Sequence, residues 1–164
     1  MRTSINIKND NYKFKFRVSG LIIRNNKILT VEMDDSGFLC LPGGHVELGE
    51  TTEEAVIREL YEETRQSVII KKYLGVTENY FINKHKTQIH EIAFYYLMDF
   101  TNENIETNDF DLIENDKGHN IKLSFKWINI NELDNYNLKP LFLKQILKTD
   151  NLEFNHLIIK DMKN

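Results

Sequence analysis

Gly43-Gly44-His45-Val46-Glu47-Leu48-Gly49-Glu50 leads into a stretch that carries Arg58-Glu59-Leu60-Tyr61-Glu62-Glu63, and this segment decides how the chain is read. After Gly49 the pattern becomes helical. Thr51 is a good N-cap, and Glu54 three residues on completes a capping box. Val56, Ile57, Leu60 and Thr64 fall on one side of a helix that runs to about Arg65, so that side is expected to face the core. Glu59, Glu62 and Glu63 stand at i, i+3 and i+4, which puts three like charges on one face and destabilises an isolated helix by a few tenths of a kcal/mol per pair. Arg58 is spaced to bridge Glu54 and Glu62, one turn either side, and leaves Glu59 and Glu63 without a compensating helical neighbour. A hard divalent cation would compensate them, because Mg²⁺ and Mn²⁺ take oxygen ligands from carboxylates and phosphates. Alone, an acidic triplet of this kind is usually a solvated helix face. The glycine pair before it, which lets backbone approach a ligand closely, and the further acids Glu47 and Glu50 make the full spacing specific.

Strands flank this unit on both sides. Lys13 to Val18 alternates charged and apolar residues, the period-2 mark of a strand with one buried face, and the strand continues to a turn at Asn25-Asn26. Residues 27–33 return as a second strand, and Phe38-Leu39-Cys40-Leu41 reads as a short third. Beyond the helix, Val68–Val76, Glu78–Ile82 and Ile89–Phe100 read as strands, the last being the most apolar stretch and so a central one. Residues 1–12 read as a loose leading segment and residues 101–120 as a polar loop with six acids against Lys117. Ser124–Ile130 reads as a strand, Asn131-Glu132-Leu133 as a short helical turn, Leu138–Lys148 as a second helix opened by Pro140, and residues 154–161 as a final strand. Strands and helices in this order predict a mixed sheet with helices packed on it.

A chain of 164 residues with 41% hydrophobic and 28% charged residues supports one domain, taken as 1–164. The net charge of -4 lacks the footprint of a nucleic-acid binder. The lone cysteine, Cys40, fits a reducing compartment, no apolar run reaches membrane-spanning length, and residues 1–10 lack the apolar core of a secretion signal, so the expected location is the cytoplasm with no membrane partner.

Residues 44–66 resemble a Nudix box. The family pattern is glycine, five residues, glutamate, seven residues, then arginine-glutamate-aliphatic-any-glutamate-glutamate-any-glycine-aliphatic. Gly44, Glu50, Arg58, Glu59, Leu60, Glu62 and Glu63 match it in register. Arg65 stands where the pattern has glycine and Gln66 where it has an aliphatic residue. That glycine ends the helix in a left-handed conformation, which costs an arginine about 1 kcal/mol unless the helix ends differently. The box covers about a seventh of the chain, and Phe125-Lys126-Trp127-Ile128 resembles a late strand frequent in the family.

The resemblance implies an α/β/α sandwich with a mixed β-sheet flanked by helices. It also implies metal-dependent hydrolysis, with Mg²⁺ or Mn²⁺, of a diphosphate bond in a nucleoside diphosphate linked to another moiety: a nucleoside triphosphate, nucleotide sugar or ADP-ribose type of compound. By the same resemblance Glu59, Glu62, Glu63 and the Gly43 carbonyl are metal ligands, Glu59 is the first candidate for activating water, and Arg58 orients the glutamates. Glu50 is a candidate for reaching a metal through water, and Glu114 or Glu91 for an additional carboxylate. Read on their own, Glu114 and Glu91 are more simply solvated surface acids, and His45 and His90 ordinary polar side chains. Gly43, Gly44 and Arg17 are candidates for contacting substrate, along with the aromatics Phe14, Phe16, Tyr80 and Phe81. Self-association into a homodimer is left open. The rival readings are a non-catalytic Nudix-like nucleotide sensor, against which the intact glutamates argue, and a Ca²⁺ or interaction domain, for which Asp34-Asp35-Ser36-Gly37 lacks the EF-hand spacing.

Overall fold

The structure is a computed structural model and describes residues 3–83, 85–116 and 118–162. Its elements in chain order are β1 (Asn6–Lys8), β2 (Tyr12–Arg24), β3 (Lys27–Met33), α1 (Thr52–Thr64), β4 (Val68–Ile82), β5 (Gln88–Phe100), β6 (Phe110–Asp116), β7 (His119–Asn129), a 3-10 helix (Ile130–Asn135), α2 (Phe142–Ile146) and β8 (Asn155–Asp161). The strands form one mixed sheet in the order β6-β7-β3-β2-β5-β4-β8, with β1 added to β2. β2 with β5 and β4 with β8 are parallel, and the remaining pairs are antiparallel. Each face carries helices and its own core. Ala55, Val56 and Leu60 of α1 pack with Val18, Ile22 and Met98 on one face. Leu133, Leu143 and Leu147 pack with Leu21, Ala93 and Tyr95 on the other. This is the expected arrangement of a mixed sheet between helices.

The sheet is pinched at its middle, and that pinch positions the site. β2 and β3 turn back at Asn25 and Asn26, which adopt φ 51° and 58° as a tight hairpin of this type requires. The two strands then pair only at Ile23 with Ile28 and Arg24 with Lys27. Beyond that point the gap between them is filled by residues 39–46. On the β2 side Gly20 N–H donates to Pro42 O, Val18 N–H to Gly44 O and Val46 N–H to Phe16 O, at 2.9, 2.9 and 3.0 Å. On the β3 side Cys40 and Val31 exchange both backbone hydrogen bonds. The glycine loop is thus held by backbone on both flanks, so its amides and carbonyls are fixed in place.

Several elements differ from the sequence expectation. The stretch 38–41 makes isolated bridges, Cys40 to Val31 and Leu39 to Leu138, because it wedges between strands instead of lengthening one. The leading segment is not loose over 1–12: β1 pairs with β2, and Ile5 N–H bonds Val46 O (Met1 and Arg2 lie outside the described residues). The polar loop of 101–120 holds β6 and the start of β7, while Lys117 lies outside the described residues. In β6, an edge strand, Phe110, Leu112 and Glu114 are half-buried and Asp111, Ile113 and Asn115 exposed, so an acid on the inner side and an apolar residue on the outer blur its period-2 pattern. The two strands expected within 68–82 are one, bent by register shifts at Ile70/Lys72 and Tyr73/Gly75. The second helix shrinks to the five residues of α2, which begins after Pro140. Ile57 is 41% exposed and points away from the core that Val56 and Leu60 enter. Among the described residues no helix is long and apolar enough to cross a membrane, which leaves membrane crossing by strands unaddressed.

Candidate active site

α1 opens with the expected capping box: Glu54 N–H donates to Thr51 Oγ1, and Thr51 N–H donates back to Glu54 Oε2 at 2.9 Å. Glu54 is thereby committed to the cap and does not bridge to Arg58. The helix ends at Arg65, whose φ of 58° and ψ of 20° are left-handed and whose N–H donates to Tyr61 O. Arginine therefore takes the conformation that the glycine of the pattern would take.

The acidic face of α1 turns toward the glycine loop. Gly43 has φ 144°, and a Cβ there would lie 2.2 Å from Val18 O, so backbone contact alone demands glycine. At Gly44 a Cβ would lie 2.2 Å from the Glu59 carboxyl carbon, so the missing side chain leaves the space that this carboxylate fills. Glu63 is 6% exposed and accepts the Gly43 N–H at Oε2, 2.9 Å. Burial, with Glu59 adding to it, pushes the Glu63 carboxyl from its ordinary 4.5 up to about 8, against the opposing pull of the Gly43 N–H and Arg17. Burial also raises Glu59, offset by Arg58.

Arg58 reaches Glu62 as the helical spacing predicts, but goes to Glu50 and Glu59 in place of Glu54. It grips Glu50 with two hydrogen bonds, Nε to Oε1 at 2.7 Å and Nη2 to Oε2 at 2.8 Å. Nη1 donates to both Glu59 Oε1 at 2.9 Å and Glu62 Oε2 at 3.1 Å, and Nη2 also reaches His45 O. Glu59 is therefore compensated by its own neighbour in sequence. Adjacent helical residues do not normally face each other, but the long arginine stem folds back across the helix to reach the loop carboxylate Glu50 and sweeps past Glu59 on the way. The orienting part assigned to Arg58 has this clamp as its geometry, and Glu50 is the clamp's fixed end.

Arg17, on β2, lies on the other side of the loop. Its Nη2 donates to Gly43 O at 3.1 Å, and its Nη1 is 3.7 Å from Glu91 Oε2 on β5. Glu91 is 7% exposed, so it is not a solvated surface acid. Glu114 lies in β6, and its charge adds to the upward shift of Glu63. The aromatics go elsewhere: Tyr80 stacks on His90 at 4.4 Å, Phe14 meets the same ring edge-on at 5.3 Å, and Phe16 packs on Phe94. So the structure gathers Gly43, Gly44, Glu50, Arg58, Glu59, Glu62, Glu63 and Arg17, and commits Phe14 and Tyr80 to His90 and Phe16 to Phe94.

Among the described residues no three acidic, histidine or cysteine groups already stand at metal-ligand spacing. Each carboxylate of the face has another partner: Arg58 for Glu59 and Glu62, the Gly43 amide for Glu63. The donor set nevertheless fits a hard dication. It offers oxygen only, from one rigid helix and one backbone carbonyl, with a buried carboxylate whose ionisation needs a positive partner.

Comparison with known proteins agrees with this geometry. The NUDIX domain family profile matches residues 13–149. The ADP-ribose pyrophosphatase of Methanocaldococcus jannaschii is 37% identical over 95 residues, which span 56% of this chain and 54% of that protein. A MutT-like protein of Streptomyces ambofaciens is 40% identical over 63 residues, 38% of this chain and 41% of the other. The matches thus span about half or less of these relatives' length. Among solved structures, the MutT protein of Bacillus halodurans superimposes with a TM-score of 0.57 at 19% identity, covering 87% of this chain and 85% of that one. An ADP-ribose pyrophosphatase from Streptococcus suis gives 0.56 at 17%, covering 88% and 98%. At those identities the structures speak for the fold, and the match over 13–149 for the lineage: the chain belongs to the Nudix family.

Proposed function

We propose that this chain hydrolyses a diphosphate linkage in a nucleoside diphosphate derivative, with a divalent cation, Mg²⁺ or Mn²⁺, held by Glu59, Glu62, Glu63 and the Gly43 carbonyl. The observation that carries this reading is the position of Glu63: buried, hydrogen-bonded to the Gly43 amide and raised to about 8 beside Glu59. A structural acid has no reason to be placed there, because burying a carboxylate next to a second one is costly unless a cation is to join them. When bound, the cation would neutralise phosphate oxygens during the displacement.

The chain's own residues supply the rest. Arg58 holds Glu59 and Glu62 at a fixed angle to the loop, anchored on Glu50. Glu59 lies against Gly44 Cα, close to backbone that a phosphate can approach, and is the group we assign to take the proton of the attacking water. The names of the relatives, ADP-ribose pyrophosphatase and MutT-like protein, support a nucleotide-type substrate. The same reading takes residues 1–164 as one domain acting on a small molecule. Its test is a panel of nucleoside triphosphates, nucleotide sugars and ADP-ribose with Mg²⁺ or Mn²⁺. Release of a nucleotide product only with the cation is expected, and no turnover of any compound would overturn the reading.

A further inference from the structure

Arg17 is held by less than it can bond. A guanidinium has five N–H donors, yet here one hydrogen bond goes to Gly43 O, Nε is buried without a partner, and the approach to Glu91 stops at 3.7 Å, beyond hydrogen-bond length. The side chains of Arg17 and Glu91 are only 22% and 10% exposed, so the pair is largely shielded from solvent. Both line one recess with Ser19, Cys40, Tyr95 and Lys139, which gives the guanidinium space to shift. Closing on Glu91 to a charge-assisted hydrogen bond of about 2.8 Å needs a movement of under about 1 Å.

Gly43 O is the atom over which two cations compete. On the reading above it faces the divalent ion, while in this structure Arg17 occupies it. A guanidinium and a dication on one carbonyl oxygen repel each other strongly in a buried site. We propose that Arg17 is a positioning residue that keeps the Gly43 carbonyl oriented until the divalent cation takes it, and that Glu91 is the acceptor onto which Arg17 then closes. Glu91 thereby acts on cation affinity without touching the cation. The inference rests on Gly43 O belonging to the cation site, and its failure is separable from failure of that assignment.

The test is Mn²⁺ affinity, measured by electron paramagnetic resonance of the free ion, for the wild type, Arg17→Gln, Glu91→Gln and the double variant. Removing the competitor in Arg17→Gln should tighten binding about 10-fold, and removing its alternative acceptor in Glu91→Gln should weaken it about 10-fold, each equal to about 1.4 kcal/mol. The double variant separates a competitor from two fixed charges. If Arg17 competes, Glu91→Gln has no effect once Arg17 is gone, and the double variant binds like Arg17→Gln. If the two act only as charges, their effects cancel and the double variant returns to wild-type affinity, which overturns the proposal. A wild type that binds no Mn²⁺ overturns the cation site itself and this inference with it. A readout without a folding risk is the Arg17 Nε–H resonance of the wild type titrated with Mg²⁺: it should move as Nη1 closes on Glu91, and an unmoved resonance at saturating Mg²⁺ contradicts the shift.

Discussion

The Gly43 amide donates to Glu63 Oε2 across 2.9 Å, which ties the glycine loop to a helix twenty positions later. Through this bond the backbone of the pinched sheet senses the charge on the buried end of α1. The Glu63 carboxyl faces Glu59 on its own helix, Arg17 from β2, the Gly43 N–H from the loop and the charge of Glu114 from β6.

The pH dependence of stability follows from the burial of Glu63 beside Glu59, which outweighs the opposing pull of the Gly43 N–H. In the unfolded chain Glu63 ionises near 4.5, and in the folded chain at about 8. The folded form keeps a proton that the unfolded form has released, so the contribution of Glu63 to stability is complete below 4.5 and is lost as pH rises toward 8. Without divalent cations, the melting temperature should fall between pH 5 and pH 8, and saturating Mg²⁺ should flatten that fall. Thermal melts in buffer with chelator and with Mg²⁺ measure both, and Glu63→Gln should remove the slope in chelator.

The two glycines fail differently. Gly43→Ala drives a Cβ to 2.2 Å from Val18 O at a φ of 144°, a backbone clash with no relief, and should lower stability by several kcal/mol. Gly44→Ala meets only the Glu59 carboxylate, which can swing aside. It should melt within a few degrees of the wild type while losing cation affinity and turnover. Denaturant melts and Mn²⁺ binding on the two variants distinguish these outcomes.

Arg58 is a clamp more than a charge. Arg58→Lys keeps the positive charge but replaces a fork that grips Glu50, Glu59, Glu62 and His45 O with one point donor. Turnover should fall about 10–100-fold, the usual effect of losing a group that orients ligands. The far-UV spectrum should be unchanged. Steady-state rates on the preferred compound give the size of the loss.

Arg65 tests the helix exit. It holds a left-handed conformation that disfavours any side chain, so Arg65→Gly should stabilise the protein by about 1 kcal/mol, or roughly 2–4 °C in melting temperature at this chain length. Turnover should not change, because Arg65 lies past the acidic face.

How much of this was visible in the sequence depended on whether a signal was local. The capping box at Thr51 and Glu54 and the turn at Asn25-Asn26 are local, and each was readable, whereas arginine gives no signal of the left-handed end at Arg65, which the sequence left open. β5 was readable because it is central and apolar, whereas β6 was hidden by Glu114 on its half-buried side and Ile113 on its exposed side. The Glu59–Glu63 face followed from helical spacing alone. What spacing could not show was the partner of each carboxylate. Helical neighbours pointed Arg58 at Glu54, while the structure sends it to Glu50, a loop residue brought near by the segment wedged between β2 and β3. Ile57 likewise looked apolar and inward until the sheet fixed which side of α1 is covered. The contact of Arg17 with Gly43, from a strand 26 positions earlier, had no local signature at all.

The central claim is that the face formed by Glu59 and Glu63 is a hydrolytic centre. Its most direct test is the turnover of the best compound from the diphosphate panel by Glu59→Gln and Glu63→Gln, with saturating Mg²⁺ and folding verified by thermal melts. Each variant should lose turnover by orders of magnitude while remaining folded. Two folded variants with wild-type rates would contradict the account.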